Sequence, residues 1–150
     1  AAMPPLLVGG MSDAALRRTV QFADGWFSLP VAPAVVATVR ERLAELASAA
    51  GRAAPSVTAA VITATTGDPA VPARDELLRS LTDPDGKYGM PSEIADEMLL
   101  TGDVSVLAER LHDLVSAGAD RVVVDVAGGD WFRQVELIVE ARRQVVDRGR

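Results

Sequence analysis

Apolar residues along this chain form short continuous runs that alternate with longer stretches of helical periodicity. The continuous runs predict four β-strands, at residues 6–8, 26–29, 57–64 and 121–126. A helical pattern follows each strand and starts near residues 12, 33, 103 and 130. The third run is almost wholly apolar, which is typical of a strand buried on both faces. We therefore predict four βα units in a single domain of residues 1–150.

A longer excursion lies between the third strand and its main helix. Two short helices are predicted around residues 74–81 and 91–98, flanking a turn-rich segment at residues 83–89. We interpret the segment that contains Lys87 and Tyr88 as a lid, a substrate wall or a surface loop ordered by Tyr88.

Strands that alternate with helices indicate an α/β fold with a mostly parallel sheet and right-handed crossovers. An open doubly wound sheet and half of an eight-stranded barrel both fit this pattern. Half a barrel would have two unpaired edges and an uncovered apolar face, which favours a homodimer or association with a complementary half barrel. The alternatives are a flattened sheet with helices on both faces, or a fragment of a longer polypeptide.

Composition and charge exclude several classes of function. The net charge of -6 and pI near 4.7 disfavour binding to nucleic acid, since an acidic surface repels phosphates. The chain has no cysteine and one histidine, His112, which we expect to be solvated, so no thiolate or multi-histidine metal site is expected. No apolar stretch is long enough to span a bilayer, so we predict a cytoplasmic protein without a membrane partner.

The richest local signal is the loop Gly9, Gly10, Met11 and Ser12, between the first strand and the first helix. Glycines allow backbone N–H groups to approach a ligand closely, and a helix N-terminus carries partial positive charge. A phosphate is the expected ligand. The alternative is a tight turn followed by an ordinary serine N-cap.

Gly128 and Gly129 repeat this pattern at the last unit, but Asp130 would repel a phosphate. We interpret Asp130 as the N-cap of the final helix, which makes this loop a weaker second site. That helix is expected to direct four apolar side chains toward the core, those of Trp131, Val135, Ile138 and Val145.

Three further residues carry predictions. Asp24, before a glycine, is typical of a turn, and Trp26 is expected in the core. Asp125 lies within the fourth strand and would need a partner if its face of the sheet is buried.

The segments Leu-Val-Gly-Gly-Met-Ser (residues 7–12) and Phe-Ala-Asp-Gly-Trp-Phe (22–27) resemble the C-terminal half of the luciferase-like flavin monooxygenase family. Thr-Gly-Asp-Val (101–104) and Ala-Gly-Ala-Asp-Arg (117–121) extend the resemblance in the family's order. The family fold is a (β/α)8 TIM barrel, and the resemblance places this chain on units five to eight.

The resemblance implies an oxidoreductase or monooxygenase that uses FMN or F420 on a small-molecule substrate. Gly9, Gly10, Met11 and Ser12 would lie along the flavin or its phosphate tail, with Ser12 as a hydroxyl donor. The Gly9-Gly10 segment favours F420 over FMN. Units one to four supply the family's usual catalytic histidine, so no catalytic residue is assigned here. The alternative is a non-catalytic βα module that acts as a flavin carrier or an oligomerisation remnant.

Overall fold

Five strands and six helices are present in the computed structural model, which describes residues 3–86 and 88–148. The strands are β1 (Leu7–Gly9), β2 (Gly25–Pro30), β3 (Ser56–Thr65), β4 (Leu99–Gly102) and β5 (Arg121–Val126). The helices are α1 (Asp13–Phe22), α2 (Pro33–Ala49), α3 (Arg74–Thr82), α4 (Ser92–Met98), α5 (Val104–Ser116) and α6 (Trp131–Arg148). These bounds agree with the predicted units to within a few residues.

The five strands form one parallel sheet, which confirms the predicted α/β class. The path runs β1-β2-β3-β4, and β5 also pairs with β3. In the register, Val8 lies opposite Trp26 and Trp26 lies opposite Val57. The longest strand, β3, therefore has three neighbours in the sheet.

Strand β4 was not predicted, so the expectation of four strands is corrected to five. Its sequence, Leu-Leu-Thr-Gly, is too short to show an alternating pattern. It forms because the second half of β3 needs hydrogen-bond partners: Ile62 pairs with Leu99, and Thr65 with Gly102. The N–H of Thr66 continues this contact by donating to the carbonyl of Gly102 at 2.7 Å.

The chain divides into two compact units, and the single domain stays a prediction. The first unit comprises residues 1–60 and 113–123, and the second comprises residues 61–112 and 124–150. The first unit has α1 and α2 packed together, with the fully buried Trp26 and Val36 in its core. Asp120 joins β3 to α2 in this unit, because its carboxylate accepts from the N–H of Val57 at 2.8 Å and pairs with Arg40 at 3.1 Å.

In the second unit every residue of β3 from 61 to 65 is buried, which confirms the prediction of a strand covered on both faces. Ile62 and Ala64 share a face of the strand and pack against a cluster from the excursion. That cluster comprises Leu77, Leu81, Ala95 and Leu99, with Tyr88 and Met90 packed against it. The predicted excursion helices α3 and α4 are thus part of the core, while Lys87 lies outside the described residues.

Helix α6 faces the core differently from the prediction. Trp131 is 61% exposed and Val135 is 39% exposed, so neither packs inward as expected, while Ile138 and Val145 are half-buried. The buried side chains are those of Gln134, Leu137 and Ala141, which share one face at helical spacing. The side chain of Gln134 points into the core because its amide forms hydrogen bonds with the backbone of β3. The pattern of apolar residues gives no sign of these bonds.

Because the excursion packs as core, Leu77→Ala should lower the free energy of unfolding by about 2–5 kcal/mol. Leu78→Ala, at the neighbouring half-buried position, is the matched control and should cost clearly less. Urea unfolding followed by circular dichroism measures both values. Equal, small losses would mean that α3 is a loosely attached lid.

Candidate functional site

The loop from Gly9 to Ser12 is exposed and joins the end of β1 to the start of α1. Gly10 has a φ of +106°, a conformation that residues with a side chain rarely adopt. A Cβ placed on Gly10 would lie 2.9 Å from the Cβ of Ala15. The loop conformation therefore requires glycine at this position, and Met11 beside it is 47% exposed.

Ser12 is the N-cap of α1. The sequence predicts this structural role as the alternative to ligand binding. Its Oγ accepts from the N–H of Ala15 at 3.2 Å, and its carbonyl accepts from the N–H of Leu16 at 3.0 Å. The N–H groups of Asp13 and Ala14 stand before the first intrahelical bond, where a helix offers no partner of its own. The Ser12 hydroxyl also keeps its hydrogen for donation, since capping uses only a lone pair.

Trp26 lies in the core, as predicted, and its indole has an additional contact with the loop. Its Nε1–H donates to the carbonyl of Gly10 at 2.8 Å, while the side chain is fully buried. Asp24, which was predicted to form a turn, accepts from the N–H of Leu6 at 2.7 Å. The start of β2 therefore supports both ends of the segment that contains β1 and the loop.

Acidic and basic side chains balance one another beside the loop. Asp13 pairs with Arg42 at 2.8 Å and with Arg17 at 2.5 Å, and Arg42 also pairs with Glu45 at 2.9 Å. Hydrogen bonds from Arg42, and next from Arg17, lower the pKa of Asp13. The negative charge at the first turn of α1 is therefore offset by two guanidinium groups, which reduces its repulsion of an anion.

The second glycine loop is organised around carboxylates. Asp130 caps α6, as predicted, because its Oδ1 accepts from the N–H of Arg133 at 2.9 Å. The N–H of Asp130 itself donates to Oδ2 of Asp68 at 2.7 Å. A Cβ placed on Gly129 would lie 2.5 Å from that same oxygen. The space where an anion would meet this loop is thus filled by Asp68.

Asp68 is only 5% exposed, and its partners keep it ionised. The N–H of Ala70 donates to Oδ1 at 2.9 Å, and the amide of Gln134 donates to Oδ2 at 3.1 Å. The bond from Ala70 is the largest cause of a lowered pKa of Asp68, and burial opposes it. Gln134 also bonds the N–H and the carbonyl of Thr65, both at 2.9 Å.

Sequence reasoning missed Asp68 and Gln134. The triplet Gly67-Asp68-Pro69 signals only a turn, and Gln134 looks like a polar residue on an exposed helix face. Their pairing joins residues 66 positions apart in the sequence. Only the fold brings them together.

The N-terminus of α5 is likewise capped by a carboxylate. Oδ1 of Asp103 accepts from the N–H of Ser105 at 2.9 Å, from the Ser105 hydroxyl at 2.5 Å and from the N–H of Val106 at 3.2 Å. The Ser105 hydroxyl contributes most to the lowered pKa of Asp103. Carboxylates therefore cap α5 and α6, whereas the neutral Ser12 caps α1.

A pocket of about 500 Å³ opens where β3 and β4 end. Thr66, Asp68, Arg74 and Thr101 are the polar side chains among its lining residues. Arg74 is committed to the fold: it donates to the Leu99 carbonyl and to the Thr101 hydroxyl, and it pairs with Asp96. The apolar lining includes Val71 and Leu77.

Asp125 and His112 also carried predictions from the sequence. Asp125 is half-buried, and the hydroxyl of Tyr88 donates to it, which supplies the partner expected for a carboxylate on that strand. His112 is half-buried on α5 rather than fully solvated. In residues 3–86 and 88–148, no three metal-binding side chains lie close enough together to hold an ion. Within the same residues, each helix is either too short or too polar to span a bilayer.

The sequence of this chain matches the family model described as luciferase-like monooxygenase over residues 1–121. The chain belongs to this family. None of the curated proteins with which the sequence was compared matches it significantly.

Solved structures share the fold at low sequence identity. An F420-dependent secondary alcohol dehydrogenase in complex with an F420–acetone adduct has a TM-score of 0.70 and 13% identity, over 93% of this chain and 48% of that chain. A coenzyme F420-dependent tetrahydromethanopterin reductase from Methanopyrus kandleri has a TM-score of 0.63 and 17% identity, over 89% and 48%. The EDTA monooxygenase of Chelativorans sp. BNC1 has a TM-score of 0.63 and 16% identity, over 97% and 47%. This chain therefore spans about half the length of these structures.

Asp68 should make stability depend on pH in the acid range. Its folded-state pKa lies below the ordinary value of 3.8, so its contribution is complete above that pH and is lost as the pH falls through the folded-state pKa. We expect Asp68→Asn to be less stable than the native chain at neutral pH, with a gap that narrows below about pH 4. Urea unfolding at a series of pH values, with the surface variant Asp113→Asn as control, measures the gap. A gap that is constant with pH would contradict an ionised Asp68.

Proposed function

We propose that this chain supplies the cofactor-phosphate site of a flavin- or F420-dependent oxidoreductase of the luciferase-like family. The loop Gly9, Gly10, Met11 and Ser12 would hold the phosphate of the cofactor. We favour F420 over FMN as the cofactor because the Gly9-Gly10 segment resembles the F420-dependent branch of the family. The observation that carries the proposal is the difference between the two glycine loops.

The first loop suits an anion and the second does not. At the first, the neutral Ser12 caps the helix and Asp13 is offset by two arginines. At the second, the ionised Asp68 already accepts the N–H of Asp130. A phosphate would gain hydrogen bonds at α1, whereas at α6 it would have to displace a carboxylate.

The residues of the first loop also fit a phosphate sterically. Gly10 lies at a φ that favours glycine, and the loop is exposed, so a ligand can reach its backbone. The Ser12 hydroxyl can donate to a phosphate oxygen while it caps α1. These features support phosphate binding by backbone groups, without a lysine or a metal ion.

The second unit has its own candidate ligand site, the pocket where β3 and β4 end. Its lining combines apolar side chains with the hydroxyl groups of Thr66 and Thr101 and with the charged Asp68 and Arg74, which suits a small molecule with both apolar and polar groups. A bound F420 or flavin would supply the hydride or oxygen chemistry, and the protein would bind and orient it. The alternative of a non-catalytic flavin carrier is supported if the cofactor binds without any turnover.

The glycine loop is tested by fluorescence titration with F420 and with FMN. Gly10→Asp should weaken binding of both by at least about tenfold, because it adds a negative charge and a Cβ next to Ala15. Gly51→Asp is the matched control: Gly51 also has a positive φ, and a Cβ there meets nothing within 4 Å.

Binding that only Gly10→Asp abolishes would support the site. Equal affinity of the native chain and the Gly10→Asp variant would show that the phosphate binds elsewhere. If the native chain binds neither F420 nor FMN, the proposed function is refuted.

We also propose that the chain associates as a homodimer through α6. Phe132, Val135, Val139 and Val146 are all exposed, and their spacing of three, four and seven residues puts them on one stripe of the helix. An exposed apolar stripe of this kind is typical of a surface that packs against another helix.

Charge on the stripe should separate such a dimer. Val139→Glu is expected to yield a monomer, since it places a carboxylate in the middle of the apolar contact. Gln144→Glu makes the same change of one charge on the same helix, away from the stripe, and serves as the control. Sedimentation velocity measures the mass of each. A native chain that is monomeric at all concentrations would contradict the proposal.

A further inference from the structure

The peptide group between Gly10 and Met11 has its orientation set from within the core. Its carbonyl oxygen accepts from Nε1 of Trp26 at 2.8 Å, and Trp26 is fully buried. In a trans peptide the C=O and N–H vectors point in opposite directions. The N–H of Met11 must therefore point away from the buried indole, toward the exposed side of the loop.

We propose that Trp26 is a positioning residue that aims the Met11 N–H at the bound phosphate. This inference rests on the proposed function and adds a donor and the group that orients it. Gly10 has wide conformational freedom, so without the indole contact the peptide could rotate. Because the indole contact fixes the peptide, the N–H of Met11 can bind an anion without a further loss of conformational entropy.

The identity of residue 26 matters for its hydrogen-bond donor and not only for its size. A buried phenylalanine would fill much of the same space, but it would leave the Gly10 carbonyl without a partner. Tryptophan is the one large aromatic side chain whose ring nitrogen is an obligatory donor. The donor function can therefore be tested separately from packing.

The experiment replaces the indole N–H by sulfur while keeping the ring shape. Trp131, which is 61% exposed, is first changed by Trp131→Phe, so that position 26 carries the chain's one tryptophan. Trp26 is then replaced by 3-benzothienylalanine in that background, and Trp131→Phe alone is the control. Trp26→Phe serves as a second variant, and urea unfolding verifies that each protein is folded.

Two readouts distinguish positioning from packing. The amide order parameter of Met11, from NMR relaxation, should fall from near 0.85 toward 0.6 or below, while that of Val8 in β1 stays unchanged. Affinity for FMN should fall by about tenfold, and affinity for riboflavin, which lacks the phosphate, should stay the same.

An unchanged Met11 order parameter would overturn the inference, because the peptide would then be held without the indole. Equal losses of FMN and riboflavin affinity would overturn it as well, since they indicate a packing role. If the Trp131→Phe control binds neither F420 nor FMN nor inorganic phosphate, the proposed function fails, and the Met11 order parameter alone then decides whether Trp26 orients the peptide.

Discussion

The first backbone N–H groups of a helix need acceptors that the helix itself cannot supply, and side chains supply them at the starts of α1, α5 and α6. Asp103 accepts from two of these N–H groups at α5, those of Ser105 and Val106. At α6 this need is met by Asp130 together with the buried Asp68. At α1 only the neutral Ser12 serves as a side-chain cap. The three helix starts therefore differ in charge, and this difference supports the proposal that an anionic ligand binds at the start of α1.

The central strand β3 shows how a chain of about half the length of its solved neighbours builds a core. Both faces of its second half are buried, and one is covered by the excursion that contains α3 and α4. In that unit the apolar face is thus covered by the chain itself. The stripe on α6, in contrast, stays exposed, and it is the surface proposed for the homodimer.

The hydrophobic pattern determined most of the secondary structure. Strong apolar runs placed β2, β3 and β5, while Ser12, Asp103 and Asp130 marked the starts of helices. These signals are local: alternation, periodicity and caps act within a few residues. The family resemblance also arose from local segments, and the family model confirms it.

Long-range pairing was decided by the tertiary structure. Strand β4 exists because β3 offers it hydrogen bonds, and Gln134 points inward because it bonds Thr65 and Asp68. The sequence by itself determined that two glycine loops precede helices and that one carries an acidic residue. Only the fold placed the carboxylate of Asp68 at the second loop and the indole of Trp26 behind the first. Both contacts join residues far apart in the chain, and their energies depend on burial and distance, which no local pattern contains.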